Sequence, residues 1–231
     1  MPHLSHPNEA SALFPPGSME QQRVLEKQIE LARLLEDGER TLELTTELRQ
    51  AAPEPANPQL VALSEMVGRS LAGDAPGARQ TADAFRESLA EMPLTAARQR
   101  RSDVQIDGIL GWASGDLETA VPNLQTALEL MPTADLSDEG LSMRFILAES
   151  LWLAGRKEEA AREFGAVEDA SMPRVGNPIV WLRALNHLGT YHADRQERAQ
   201  AESYFRRYLR YWGDGEIDRN EVAAARAYLS R

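Results

Sequence analysis

The sequence contains no cysteine. That removes disulfide cross-links, thiolate metal ligands and thiol nucleophiles together, and leaves nothing that marks an oxidising compartment. Lysine is nearly missing too: of 25 basic residues only Lys27 and Lys157 are lysine. An arginine bias of that size suggests a GC-rich bacterial genome and says nothing about mechanism. No apolar run approaches the roughly 18 residues that a membrane span needs. The opening MPHLSHPNEASALFPPGS has neither a basic start nor an apolar core of signal-peptide length. A cytoplasmic protein with no membrane partner is the expectation.

Catalytic signatures are missing as well: there is no G-x-S-x-G, no G-x-x-x-x-G-K, no G-x-G-x-x-G and no H-E-x-x-H. Carboxylates are plentiful but fall on solvated helix faces, where no pocket pairs them for acid–base work. No enzyme activity and no cofactor are expected. Positive charge is also short. Of the net −11, residues 1–100 hold 10 basic and 15 acidic side chains, residues 101–150 hold 2 and 9, and residues 151–231 hold 13 and 12. Nucleic-acid affinity rests on neutralising phosphates, so this balance argues against a nucleic-acid partner.

What is present is helix-forming residues in a repeat. Ala, Leu, Glu and Arg dominate, while aromatic residues make up only 6% and Val, Ile and Thr are sparse. That is the composition of helices packed on helices, so the fold class is all-α. Pro53, Pro93, Pro132 and Pro173, followed by Gly213, recur at gaps of 40, 39, 41 and 40 residues. Midway in each interval stands a breaker: Gly38, Gly73, Gly115, Gly155 and, in the fifth place, Gln196. Each unit then reads helix, tight turn, helix, stop. One such hairpin cannot bury its apolar face, whereas stacked hairpins can, which predicts a solenoid.

The apolar stripes agree. Leu117, Ala120, Leu124, Ala127, Leu128 and Met131 recur at helical spacing, as do Leu147, Leu151, Ala154, Ala160 and Phe164 around Gly155. Gly108, Ala148 and Gly189 occupy equivalent places where two helices can approach closely. Pro122 falls inside a second helix and is expected to kink it, at about 3 kcal/mol unless something compensates. Near the C-terminus, IDRNEVAAARAYL offers Asp218 as N-cap, Glu221 as its capping-box partner and Ile217 with Val222 as a staple. Val222, Ala225 and Leu229 then form the stripe of a capping helix over residues 217–230.

These residues resemble the tetratricopeptide repeat (TPR) family, whose pattern is W-x2-L-G-x2-Y, then A-x3-F, then P. The match uses Gly108, Ala120, Leu124, Ala127 and Pro132 in one unit, and Leu147, Ala148, Leu151, Ala160, Phe164 and Pro173 in the next. Leu188, Gly189, Ala201, Phe205 and Gly213 carry the last. The resemblance implies a right-handed αα-hairpin solenoid of about five TPR-like units with a C-terminal capping helix. Residues 1–18 would be a flexible tail, 19–93 two divergent hairpins and 97–212 three clearer units. The spacing near 40 exceeds the family's usual 34, which implies longer helices or connections.

The resemblance also implies a concave groove that holds a protein or peptide partner, hence a scaffold or adaptor. Trp112 and Trp152, 40 residues apart in equivalent places, would be neighbours on that surface, with Ile106, Ile109 and Phe145 extending the apolar patch. Aligned aromatics are common anchors of an interface, but the same residues also serve for packing between helices. Arg183, Asn186 and His187 share a first helix on the groove side. There His187 would make one hydrogen bond and change charge near neutral pH, or stand as idle polar surface. The ending FRRYLRYWGDGEIDRNEVAAARAYL is similar to the ends of helical-repeat regions attached to bacterial kinases and transcription regulators. It keeps open a regulatory module that binds a small molecule or signalling peptide and acts on a separate chain. His192, five residues from His187, sits about 140° around the helix, so the two cannot share a metal ion. His192 is expected in a core or partly buried packing place equivalent to Leu151. His3 and His6 lack a third ligand, and DGEIDRNE imitates only half of a calcium loop, so no metal is expected.

Overall fold

The computed structural model describes Ser11 and residues 13–52, 55, 57–131, 137–170, 178–213 and 218–231. Among these residues every regular element is a helix, and there are eleven. They are α1 (Met19–Leu34), α2 (Gly38–Ala51), α3 (Pro58–Leu71), α4 (Ala75–Ala90), α5 (Ala96–Ser114), α6 (Leu117–Glu129), α7 (Asp138–Leu153), α8 (Lys157–Asp169), α9 (Pro178–Asp194), α10 (Arg198–Trp212) and α11 (Arg219–Leu229). The chain divides into two compact units, Met1–Asp116 and Leu117–Arg231. Within each, every helix packs on the next in sequence. In the first unit α3 also touches α1 and α5, and in the second α9 touches α7 and α11. Sequential packing of this kind is that of a helical-repeat array.

Local chemistry starts the helices. Ser18, Asp37, Asn57, Asp74, Thr95 and Ser137 each accept a hydrogen bond from the backbone N–H three residues on. Each such cap contributes about 1 kcal/mol. The turns repeat in atomic detail. Glu36, Gly73, Gly115, Gly155 and Gln196 are left-handed, with φ between 55° and 83°. After each, the next residue's N–H reaches back five residues: Asp37 to Ala32, Asp74 to Arg69, Asp116 to Gly111, Arg156 to Leu151 and Glu197 to His192, at 2.8–3.0 Å. This is the Schellman closure, which satisfies helix-end carbonyls that would otherwise lack donors.

One turn differs from expectation. The breaker of the first hairpin is Glu36 and not Gly38, which opens α2. Gly38 is needed for contact instead: a Cβ there would lie 2.6 Å from Ala72 N and 2.7 Å from Gly68 O. Pro122 does not interrupt its helix, since α6 runs on to Glu129. It is the sixth residue, so only the Glu118 carbonyl loses its donor. Just beyond it Asn123 Nδ2 donates to the Thr119 carbonyl at 2.9 Å.

Each unit has an apolar interior. In the first, Leu25, Ile29 and Ala32 of α1 meet Leu44 and Leu48 of α2 and Val61 of α3. In the second, Trp181, Leu182 and Leu185 of α9 pack with Ala201, Phe205 and Tyr208 of α10 and with Val222 and Ala225 of α11. Gly189 allows that approach, because a Cβ there would stand 2.7 Å from the Phe205 ring. Pro53, Pro132, Pro173, Ile217 and the two tail histidines lie outside the described residues. No described helix is long and apolar enough to cross a membrane.

Candidate functional site

The residues expected on a groove are distributed over both units, and burial separates them into two kinds. Ile106 and Ile109 on α5 of the first unit are only 2% and 3% exposed, and Phe145 on α7 of the second is 1% exposed. They are interior side chains and do not line an open surface. The physical reason is architectural. A first helix of a hairpin is flanked by helices on several sides, so apolar residues on more than one of its faces are covered. Trp112, at the end of α5, remains half-buried.

Trp152, Asn186 and His187 are also half-buried, and in the second unit they stand on an aromatic base. Phe164 of α8 lies beneath, with its ring centroid 5.7 Å from Phe145 and 6.3 Å from Trp152, both edge-on. The His187 ring stacks on Phe164 at 4.4 Å and 5°, and meets Trp152 edge-on at 5.1 Å. Helical spacing brings this about: Trp152 lies in the last turn of α7, Phe164 is central in α8, and His187 is central in α9. Lys157 places its Nζ 4.8 Å above the Trp152 ring and 2.6 Å from Asp194 Oδ2.

His187 is therefore an aromatic packing residue as much as a polar one. Burial lowers its pKa to about 4; the nearby Arg183 charge acts in the same direction, and Asp218 opposes them. The ring is neutral at pH 7, which corrects the expectation of a charge change near neutrality. No protein-family model matches the chain, and no curated protein matches it. The site must be judged on its own chemistry.

That chemistry includes an ion pair that the sequence did not reveal. Arg183 Nη2 and Nε donate to the two carboxylate oxygens of Asp218 at 2.8 and 3.1 Å, with the side chains 18% and 11% exposed. Asp218 precedes α11 as expected, but it is left-handed, at φ 53°, and its side chain makes no capping bond. The capping box with Glu221 is not formed. A bidentate, charge-assisted pair exceeds a single capping bond, so the carboxylate goes to the guanidinium. The one available cue was the acid itself at a helix start, and that cue has the commoner explanation. Asn186 makes no side-chain hydrogen bond among the described residues, and its carbonyl accepts from Thr190 Oγ1 at 3.0 Å.

His192 is partly buried in the packing place expected. It also has a polar role: its Nδ1 lies 2.6 Å from Glu197 Oε2, and its ring stacks on Tyr204 at 5.4 Å. Among the described residues no group of three or more His, Asp or Glu side chains could hold a metal ion.

Proposed function

We propose that the chain is a non-catalytic interaction scaffold, a TPR-like right-handed array of about five αα-hairpins with a terminal capping helix. Its partner is a protein or peptide, held on the face that carries Trp152, Asn186 and His187. The observation that carries this proposal is the half-buried Trp152 ring, backed by Phe164 and His187 and topped by Lys157. A large, partly exposed aromatic side chain held in place by packed neighbours is a usual anchor of an interface. The ionisable groups around it are engaged structurally: Arg183 with Asp218, and Lys157 with Asp194. His187 is neutral and stacked on Phe164, so it serves this face as a packing residue. Phe145 supports this face from the interior of the second unit through Phe164, and in the first unit Ile106 and Ile109 are interior while Trp112 is half-buried.

The test is a comparison of the wild-type chain with Trp152→Ala and with Trp112→Ala plus Trp152→Ala in affinity capture from the native host, followed by titration of the recovered partner. Loss of an anchor of this kind weakens binding by about 2 kcal/mol or more. Helical content should remain by circular dichroism. A partner that binds the double variant as tightly as the wild type overturns the proposal.

A further inference from the structure

The first unit holds an open cavity of about 370 Å³ between α2, α3 and α4. Arg49 lines it from α2, Glu65 and Arg69 from α3, and Phe85 from α4. Phe85 departs from the pattern of the repeat. The side chain twelve positions after the left-handed turn residue is fully buried in the other four hairpins, as Leu48, Ala127, Val167 and Tyr208. In the hairpin that turns at Gly73 this place holds Phe85, and there alone it is left partly exposed, towards the cavity. An aromatic ring at a core register without full cover favours a ligand that withdraws the rest of it from water.

The charged side chains of the cavity are unevenly engaged. Glu65 is 14% exposed and both its oxygens are taken: Oε1 accepts from Arg69 Nε and Nη2 at 3.2 and 2.9 Å, and Oε2 lies 2.6 Å from Arg49 Nη2. Arg69 gives its Nη1 to Asp74 Oδ2 at 2.9 Å, so all three of its nitrogens are in use, and hydrogen bonds to the two acids hold its pKa above the usual arginine value. Arg49 differs. It is 51% exposed, and its Nε and Nη1 meet no protein acceptor among the described residues. Two arginines and one glutamate leave the lining with a net charge of +1. We propose that this cavity binds a small aromatic monocarboxylate, with its ring over Phe85 and its carboxylate on the unused N–H groups of Arg49. Guanidinium donors match the two oxygens of a carboxylate, whereas a dianionic phosphate would meet repulsion from Glu65 in the same cavity. The volume suits a ligand at the small end of the usual range of about 300–1,000 Å³. The proposal is independent of the Trp152 surface, which lies in the other unit.

The experiment titrates the full chain with benzoate and with indole-3-acetate, a one-ring and a two-ring aromatic carboxylate. Acetate supplies the carboxylate without a ring, benzyl alcohol the ring without a charge, and phenyl phosphate the ring with a dianion. Backbone amide resonances are followed by NMR, and melting temperatures are measured in the same solutions, for wild type, Arg49→Gln and Phe85→Leu. The expected result is a saturable shift of amides in α2, α3 and α4 with at least one aromatic carboxylate, accompanied by a rise in melting temperature. Acetate, benzyl alcohol and phenyl phosphate should each bind at least about tenfold more weakly, and Arg49→Gln should weaken the aromatic carboxylate by a similar factor. Phe85→Leu should weaken the aromatic carboxylate and leave acetate unchanged. The proposal is overturned if neither aromatic carboxylate moves these amides, or if Arg49→Gln binds as tightly as the wild type. Acetate, benzyl alcohol or phenyl phosphate binding as tightly as the aromatic carboxylate overturns it too. If Phe85→Leu does not fold, Arg49→Gln, which alters a half-exposed side chain, and the comparison with acetate decide.

Discussion

Acid should weaken the second unit through His187, and the size of the effect follows from its environment. The folded chain holds this ring at a pKa of about 4, below the ordinary 6.5, chiefly through burial against Phe164 and Trp152. The unfolded chain therefore takes up a proton first as pH falls. Stability from the neutral ring is complete above pH 6.5, declines between 6.5 and 4, and changes no further below 4. The interval corresponds to about 3 kcal/mol. His187→Leu keeps an apolar side chain on Phe164 and removes the titration. Urea unfolding of both proteins at steps from pH 7 to pH 4 isolates the term, because the carboxylates they share cancel in the difference. The wild type should lose about 3 kcal/mol more than the variant across that range. The His187 resonance should titrate near 4 in the folded protein. Parallel stability curves for the two proteins, or a ring that titrates near 6.5, would refute the assignment.

Two glycine substitutions should oppose the usual rule that Ala in a helix is better than Gly by about 1 kcal/mol. Gly189→Ala drives a methyl against the Phe205 ring and should cost about 1–3 kcal/mol in urea unfolding, whereas Phe205→Leu in the same background should recover part of it. Gly38→Ala meets backbone atoms Ala72 N and Gly68 O, which cannot turn aside, so its loss should be at least as large and should lower the melting temperature. Asp218→Ala leaves the Arg183 guanidinium without its bidentate partner and should cost about 3 kcal/mol, with α11 losing hydrogen-exchange protection first. The same change should move the His187 pKa further down, since Asp218 is the charge that supports its protonated form.

The all-helical class and the approximate places of the turns were legible because both are local properties. Gly73, Gly115 and Gly155 announce left-handed turns by having no side chain to clash, and Asp74 at a helix start offers a capping oxygen. The stripe through Leu117, Ala120, Leu124 and Ala127 is likewise local, since a helix of fixed pitch aligns those positions whatever lies beside it. Glu36 was missed for the same reason that Gly38 attracted attention. A left-handed glutamate has no sequence signature, and a glycine required by a neighbouring helix looks like one required by its own backbone.

The candidate site was legible only as a set of names. Periodicity places Phe145, Trp152, Ile106, Ile109 and His187 on first helices, yet it does not say which of a helix's neighbours covers which face. Tertiary packing decided that: Ile106, Ile109 and Phe145 went to the interior, and Trp152, Asn186 and His187 kept an open side. Packing also decided charge. His187 lost its protonation near neutral pH because Phe164 replaced water at its face, and Asp218 left its capping role because Arg183, 35 residues away, came within 2.8 Å. The sequence by itself determined where the helices begin, turn and repeat, because those depend on neighbours within about one turn of helix. Only the tertiary structure decided which side chains are dry, paired or open, because solvation and ion pairing depend on groups that the chain brings together from a distance.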